Sequence, residues 1–347
     1  MSMEKEYIGS TPRGLGELQA WTSRACEAPL DPALPIIDAH HHLYDDERGR
    51  YLAAEMLAEI ASGHNVVATV YLQHSAAYRT TGPEHLRPVG EVEFAASVAR
   101  ETADGPVRLC QGIVGHANLA LGDQVLPVLE ASIQAGDGYF KGVRHGTTWD
   151  AGRAGVGRTF GPRHMLMSPE FRQGFARLSK LGLSFDAWIL HPQLPELADL
   201  LDAFPDTPVV LNHCGGILGV APYTDRTAVF EVWRKHIHTL AQFPNLSVKL
   251  GGLGMLHGGW RFHHEADPPD SKTLADAWQP YVETCIEAFG PSRAMFESNF
   301  PVDKQSCGYG ALWNAFKRIT QSYSDSERTA LFQGTASNFY RLNATQR

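Results

Sequence analysis

The sequence lacks long apolar runs, a secretory signal and a cysteine framework. No stretch of its 347 residues approaches about 18 uninterrupted apolar residues, so we expect no membrane-spanning helix. The first thirty residues contain no apolar segment of the kind found in secretory signals. Five cysteines are scattered and odd in number, which is typical of reduced thiols rather than of disulfides. Together these absences predict a cytoplasmic protein.

Positive charge is also scarce. The chain has 30 Lys and Arg residues against 38 Asp and Glu residues, and its formal net charge is -8. Proteins that bind nucleic acids or membrane surfaces need a basic face, so we expect neither kind of partner. The 16 histidines instead indicate metal or acid–base chemistry on a small-molecule substrate.

What the sequence does have is a regular alternation of short, apolar, β-rich runs with amphipathic stretches. Eight runs that alternate with helical patterns predict parallel β/α units, and eight such units close into a (β/α)8 TIM barrel. A doubly wound open sheet is the alternative, but no G-x-G-x-x-G motif follows the first run. The predicted strands are 34–40, 65–73, 107–115, 138–146, 183–190, 208–215, 246–252 and 293–300.

The helical patterns and the chain ends define the predicted domain organisation. Residues 1–33 precede the first strand and should form an arm that packs on the barrel or on a partner subunit of a homo-oligomer. Residues 34–347 form the predicted catalytic barrel. Ser168 and Ser271 are predicted N-caps, and Gly182 and Gly290 stand where helices should end. The clearest predicted helices are 89–103, 168–182, 193–204 and 271–290.

Three consecutive histidines end the first predicted strand, in the run "IIDAHHHLYD" of residues 36–45. Because side chains alternate along a strand, His40 and His42 share one face, with Asp38 one step deeper, and His41 takes the other. Two imidazoles at positions i and i+2 form a metal-binding corner, and Asp38 could orient one of them. The alternative is a polar strand end whose histidines are satisfied by hydrogen bonds.

Other chemically active side chains follow later strands. His191 and His213 end the fifth and sixth strands, and Arg144 and His145 end the fourth. The carboxyl ends of barrel strands meet at one mouth, so these side chains should converge there with the histidine pair. Arg144 and His145 are predicted to bind substrate, with a structural salt bridge as the alternative for Arg144.

These motifs together resemble the amidohydrolase superfamily. The segments "DAHHH", "FKGVRH", "HPQL", "VVLNHCGG" and "MFESNFPVD" are similar, in that order, to the amidohydrolase-2 branch, which includes sugar lactonases and 2-pyrone-4,6-dicarboxylate lactonase. The resemblance implies a hydrolase with a divalent metal, commonly zinc, with iron or manganese as alternatives. It implies metal-site positions for His40, His42 and His191, and it matches His213 to the histidine of strand six. Some lactonases of this branch work without a metal.

The eighth strand departs from that pattern. The family usually has Gly-Ser-Asp there, and its aspartate is a metal ligand and general base, whereas this chain has Glu297, Ser298 and Asn299. An amide cannot take a proton from water. Glu297 could replace the base, reach a deeper metal or hold a histidine in place. Alternatively, Asn299 is a neutral ligand or binds substrate, and Asp303 or a histidine is the base.

Two further features complete the predicted site. Lys141, on the fourth strand, could bridge two metals, but pairing with Glu297 lower in the barrel is the favoured interpretation because both charges need a partner there. The long loop 251–271 follows the seventh strand and is typical of a pocket wall or lid.

The sequence therefore predicts a metal-dependent hydrolase that acts on a small polar lactone or a related carbonyl compound. His40, His42, His191 and His213 are the predicted metal ligands. Asn299, Glu297 and His213 are the predicted catalytic residues. The alternatives are a two-metal, non-heme iron oxygenase on the same barrel, and an inactive partner of an active paralogue.

Overall fold

Eight parallel strands form one sheet whose order in space follows their order along the chain. The computed structural model describes residues 13–47, 49–151 and 161–342. The strands of this sheet are β1 Ile36–His41, β2 Val66–Leu72, β3 Arg108–Gly115, β4 Phe140–Val143, β5 Ser184–Ala187, β6 Val209–Leu211, β7 Leu246–Leu250 and β8 Ala294–Phe296, and a separate antiparallel pair, Tyr44–Asp46 and Gly49–Tyr51, follows β1.

The sheet closes where β8 meets β1. A parallel bridge joins His41 to Phe300, the backbone N–H of His42 donates to Phe300 O at 2.8 Å, and that of Asn299 donates to His40 O at 2.8 Å. These bonds connect the last strand to the first, and the prediction of a (β/α)8 barrel is confirmed. Their position also sets Glu297 and Asn299 beside the histidines that end β1.

The strands are apolar along their length because helices cover the outside of the barrel and side chains fill its inside. All six residues of β1 and all five of β7 are buried, including Asp38 and Lys249. The eight predicted strands are all present, although β4, β5, β6 and β8 end three or four residues earlier than predicted. The residues beyond those ends leave the ladder and form the loops of the mouth.

Helices surround the sheet in the predicted alternation. The prediction that Ser168 caps the helix Pro169–Lys180 is confirmed, because its hydroxyl accepts from Phe171 N at 3.1 Å. The prediction that Ser271 is an N-cap is wrong, since the cap of the helix Ser271–Phe289 is Asp270, whose carboxylate accepts from Thr273 N at 2.7 Å. The helices are α1 Leu15–Thr22, α2 Ala53–Ile60, α3 Val89–Glu101, α4 Leu126–Gly136, α5 Pro169–Lys180, α6 Leu194–Ala203, α7 Arg226–Leu240, α8 Ser271–Phe289, α9 Tyr309–Ile319, α10 Asp325–Thr329 and α11 Thr335–Phe339.

The described part of the N-terminal arm lies on the loop that follows β7. Arg13 Nη1 donates to His263 O at 2.8 Å, and the indole N–H of Trp21 donates to Ala266 O at 3.1 Å. Leu18 and Trp21 of α1 are buried. The arm therefore supports the loop 251–271 at the mouth of the barrel. Among the described residues, no helix has the length and apolar content that a bilayer crossing requires.

Candidate active site

Glu297 contacts two histidines, His40 and His213, that are far apart in the sequence. Its fully buried carboxylate accepts at Oε1 from His213 Nδ1 at 2.7 Å and from the His213 backbone N–H at 3.0 Å. Its Oε2 lies 2.8 Å from His40 Nδ1, in a contact that is less well aligned than the one to His213. Glu297 is thus placed to orient both rings, which agrees with the hypothesis that it holds a histidine.

His40 and His42 bring two ring nitrogens together at the end of β1. Their Nε2 atoms are 3.2 Å apart, while His42 Nδ1 lies 2.8 Å from Leu72 O. Since Leu72 O is an acceptor, Nδ1 of His42 carries the ring proton, and its Nε2 presents a lone pair. Nδ1 of His40 lies near both the acceptor Glu297 and the donor Lys249 Nζ, and Nε2 of His40 presents a lone pair when its ring proton is on Nδ1. Two facing lone pairs cannot bond to one another, and they require a donor or a cation between them.

Burial keeps these imidazoles neutral. The pKa of His40 falls well below its usual value because the ring is buried, and secondarily because the Lys249 ammonium is near. Burial and the nearby His74 ring likewise lower the pKa of His42. Metal ions bind the neutral form of imidazole, so burial leaves both rings in the form that coordinates.

The donor set fits a divalent cation. Two nitrogens that are each about 2.0–2.1 Å from a tetrahedral zinc are separated by about 3.3 Å, close to the 3.2 Å between the two Nε2 atoms. A second group of possible ligand atoms, from His40, His213 and Glu297, also lies within 4.8 Å of one another among the described residues. Neutral His40 has a single ring lone pair. A cation bound between Nε2 of His40 and Nε2 of His42 would use that lone pair and leave the contacts of Glu297 intact.

Arg144 lies directly beside this pair of histidines, and its role in substrate binding stays a prediction. Its Nη1 is 3.2 Å from His40 Nε2, and its Nη2 donates to Gln73 O and, at 2.9 Å, to Gln73 Oε1. The side chain is buried, and burial lowers the pKa of the guanidinium. The site therefore combines two lone-pair nitrogens with one buried positive charge.

His213 is held from three sides. Glu297 fixes its Nδ1, the edge of the Trp188 ring packs against it with ring centres 4.7 Å apart, and Gly252 lies against its Nδ1. The backbone of His213 has φ of 56°, in the left-handed region, at the start of the tight turn His213–Gly216. With Nδ1 committed to Glu297, Nε2 is the ring nitrogen that can accept a proton.

We expect Gly252→Ala to destabilise the protein by about 2–4 kcal/mol and to displace His213. A Cβ there would overlap His213 Nδ1, and φ of 63° adds backbone strain. Gly182→Ala is the matched control, since Gly182 has φ of 67° with no atom near its Cβ position. Denaturant titration should show a loss of about 1–2 kcal/mol for the control. Equal losses in both variants would contradict close packing of Gly252 on His213.

The side chain of Asn299 is hydrogen-bonded to Asp303. Its backbone has φ of 55°, and its Nδ2 donates at 2.8 Å to Oδ1 of Asp303, whose Oδ2 accepts from Gly254 N at 2.9 Å. Burial raises the pKa of Asp303 to about 8. This pair joins the chain after β8 to the loop after β7, and the catalytic role of Asn299 stays a prediction.

Asp38 lies in the first strand as predicted, but its side chain contacts backbone and Tyr309 rather than a histidine ring. Its Oδ1 accepts from Ser298 N at 2.8 Å and from the backbone N–H of His40 at 3.3 Å, and its Oδ2 accepts from Tyr309 OH at 3.0 Å. It therefore fixes the backbone where β1 meets β8, whereas Glu297 contacts the His40 ring.

Two predicted site histidines lie apart from the cluster. His191 Nδ1 accepts from Leu218 N at 3.2 Å, and its ring packs against Tyr223. His145 Nδ1 accepts from Leu119 N at 3.2 Å, and its ring packs against His116 and Phe171 of α5. His145 faces the surrounding helices because side chains alternate past the end of β4, and Arg144 takes the inward position.

The predicted pairing of Lys141 with Glu297 is wrong. Lys141 is only half-buried and donates to Gly138 O at 2.6 Å, outside the barrel. The lysine inside the barrel is Lys249, whose Nζ is 2.8 Å from Asp186 Oδ1 and 3.4 Å from His40 Nδ1. A lysine in the apolar run "LSVKL" and an aspartate in "LSFDA" were the sequence signals for this buried ion pair.

Similarity to known proteins agrees with this geometry. The chain is 35% identical over 331 residues to the uncharacterised protein y4mH of Sinorhizobium fredii, covering 89% of this chain and 99% of the relative. It is 27% identical over 320 residues to an L-fucono-1,5-lactonase of Burkholderia multivorans, covering 88% and 96%.

A solved structure has the same fold. It is an amidohydrolase of Burkholderia multivorans with bound Zn, 21% identical, with a TM-score of 0.67 over 89% of this chain and 99% of that one. Residues 37–342 match the amidohydrolase family Amidohydro_2, which spans the whole barrel. The chain therefore belongs to the Amidohydro_2 family of amidohydrolases and is a hydrolase.

Proposed function

We propose that this protein is a metal-dependent lactonase that opens a small, polar lactone ring. The observation that supports this proposal most strongly is that Nε2 of His40 and Nε2 of His42 lie 3.2 Å apart, beside His213, which Glu297 orients. A divalent cation held by His40 and His42 would polarise the ester carbonyl. Zinc suits two imidazole ligands best, and iron or manganese would also bind them.

His213 is the general base in this proposal, in place of the aspartate that Asn299 replaces. Because Nδ1 donates to Glu297 at 2.7 Å, Nε2 is free to take a proton from the attacking water. The same nitrogen then returns that proton to the ring oxygen as the C–O bond of the lactone breaks. The product is an open-chain hydroxy acid, and the base returns to its neutral form.

Arg144 gives the proposed site its preference for anionic or strongly polar substrates. A buried guanidinium forms strong, charge-assisted hydrogen bonds to carboxylates and to carbonyl oxygens that gain negative charge. Lactones that become hydroxy acids supply both kinds of group. The 27% identity to an L-fucono-1,5-lactonase supports the choice of sugar-derived lactones as the first compounds to test.

The test is hydrolysis of a panel of aldono-1,4- and aldono-1,5-lactones by zinc-supplied protein. Hydrolysis is measured as the release of acid. We expect turnover of at least one lactone, and we expect His213→Gln to lower its kcat by about 100- to 10,000-fold. His145→Gln is the control, since that buried histidine packs against Phe171 away from Glu297. Absence of turnover across the panel, or full activity of His213→Gln, would contradict the proposal.

A further inference from the structure

Arg144 and a bound cation would require the same atom. When Nδ1 of His40 carries the ring proton, Nε2 has a single lone pair in the plane of the ring. That lone pair lies 3.2 Å from Nη1 of Arg144 and faces Nε2 of His42, also at 3.2 Å. It can accept a hydrogen bond from the guanidinium or coordinate a metal, but it cannot do both.

The position of Arg144 is built into the barrel. Its backbone N–H donates to Gly115 O at 2.8 Å at the end of β3, so the main chain is fixed beside the corner. Gln73, at the end of β2, holds Nη2 through its backbone carbonyl and through its side-chain oxygen at 2.9 Å. Only a swing of the side chain can therefore withdraw the guanidinium from His40.

Among the described residues, no carboxylate contacts Arg144 directly, and the carboxylates of Asp186, Glu91 and Glu297 act on its charge only from a longer distance. The other buried cation at this site, Lys249, is paired with Asp186 at 2.8 Å. No carboxylate in the described ranges lies within 4.0 Å of Arg144, although the side chain is buried. A buried guanidinium without a carboxylate partner is costly, and an anionic group of a ligand would satisfy it.

We propose that Arg144 competes with the divalent cation for His40, and that a carboxylate ligand ends this competition by drawing the guanidinium away. Cation and carboxylate then bind cooperatively, and each raises the affinity for the other by the same factor. The inference rests on the cation site that the proposed function assigns to His40 and His42, but it does not depend on lactone hydrolysis.

The first measurement is the zinc affinity of purified, metal-free protein, determined by competition with a coloured chelator. Arg144→Met removes the donor and the charge, and we expect it to bind zinc about tenfold or more tightly than the wild type. Arg293→Met is the matched control, because Arg293 is also held by backbone carbonyls but lies at the start of β8, away from the corner. Unchanged or weaker binding in Arg144→Met would overturn the proposal.

The second measurement needs only the wild type and therefore stands even if Arg144→Met fails to fold. Zinc affinity is compared in acetate and in chloride at equal ionic strength. Competition predicts that the wild type binds zinc several-fold more tightly in acetate than in chloride, and no gain refutes it. If zinc binds and lactones are hydrolysed without these effects, only this inference fails. If neither wild type nor variant binds zinc, the cation site itself is wrong.

Discussion

Glu297→Gln is expected to lower kcat/KM for the best lactone by about a thousandfold or more while the barrel remains folded. The glutamate accepts from both the ring and the backbone of His213 and lies 2.8 Å from His40 Nδ1. Glutamine can turn its NH2 group toward His213 Nδ1, and the ring proton then moves to Nε2. A base that already carries its proton cannot accept one, and a comparable tautomer change in a serine protease triad costs about 10,000-fold.

The control for this variant is Glu91→Gln, which makes the same change at another fully buried carboxylate. Glu91 accepts from Tyr71 OH at 2.8 Å and from the backbone N–H groups of residues 74 and 76, and it touches neither His40 nor His213. Steady-state kinetics and thermal melting should show lower stability but largely retained kcat/KM for the control. Glu297→Gln with near-normal kcat/KM would remove Glu297 and His213 from the mechanism.

The second large effect concerns the metal. His40→Ala and His42→Ala should each weaken zinc binding by more than about a hundredfold. Removing a residue that only hydrogen-bonds to a metal ligand already lowers metal affinity by about 10–100-fold, and these variants remove a ligand itself. His41→Ala is the internal control, since its Nε2 bonds to Thr69 Oγ1 at 2.8 Å on the opposite face of β1. Elemental analysis after dialysis should find zinc in the control and in the wild type only.

The three variants remove neighbouring buried histidines. A loss of zinc that comes only from removing a buried histidine would therefore appear in His41→Ala as well. Circular dichroism should show the same barrel in all three proteins. Retention of zinc by both His40→Ala and His42→Ala would mean that the corner is not the cation site. The group formed by His40, His213 and Glu297 would be the remaining candidate only if His42→Ala alone kept the metal.

Strand periodicity alone predicts the core of this site. Alternation placed His40 and His42 on one face, and convergence of barrel strands placed His213 near them, with ring centres of His40 and His213 at 4.5 Å. Both inferences use geometry that holds within a strand or across a closed barrel. They therefore do not depend on knowing any particular side-chain contact.

Beyond the end of β8, the alternation of side chains fails. β8 ends at Phe296, and the left-handed backbone of Asn299 breaks the two-residue repeat that would have placed it with Glu297. The role of Glu297 as a partner of two histidines depends on a tight turn after β6 and on glycines after β7. Such contacts join segments far apart in sequence, and no local pattern encodes them.

The sequence predicts that a buried lysine pairs with a carboxylate inside the barrel, but it does not identify the two residues. A lysine–carboxylate pair inside the barrel was expected from the cost of isolated charges, and the structure has one. It joins Lys249 to Asp186 rather than Lys141 to Glu297. Which side chains of β4 point into the barrel depends on where the strand ends. The apolar pattern of the sequence does not show where it ends.

The most direct test of this account is a crystal structure of the zinc-loaded protein with anomalous data at the zinc edge. We expect one anomalous peak about 2.0–2.1 Å from Nε2 of both His40 and His42, with Glu297 still bonded to His213. A peak bound to Nδ1 of His40, or the absence of any peak at the corner in crystals grown with excess zinc, would contradict it.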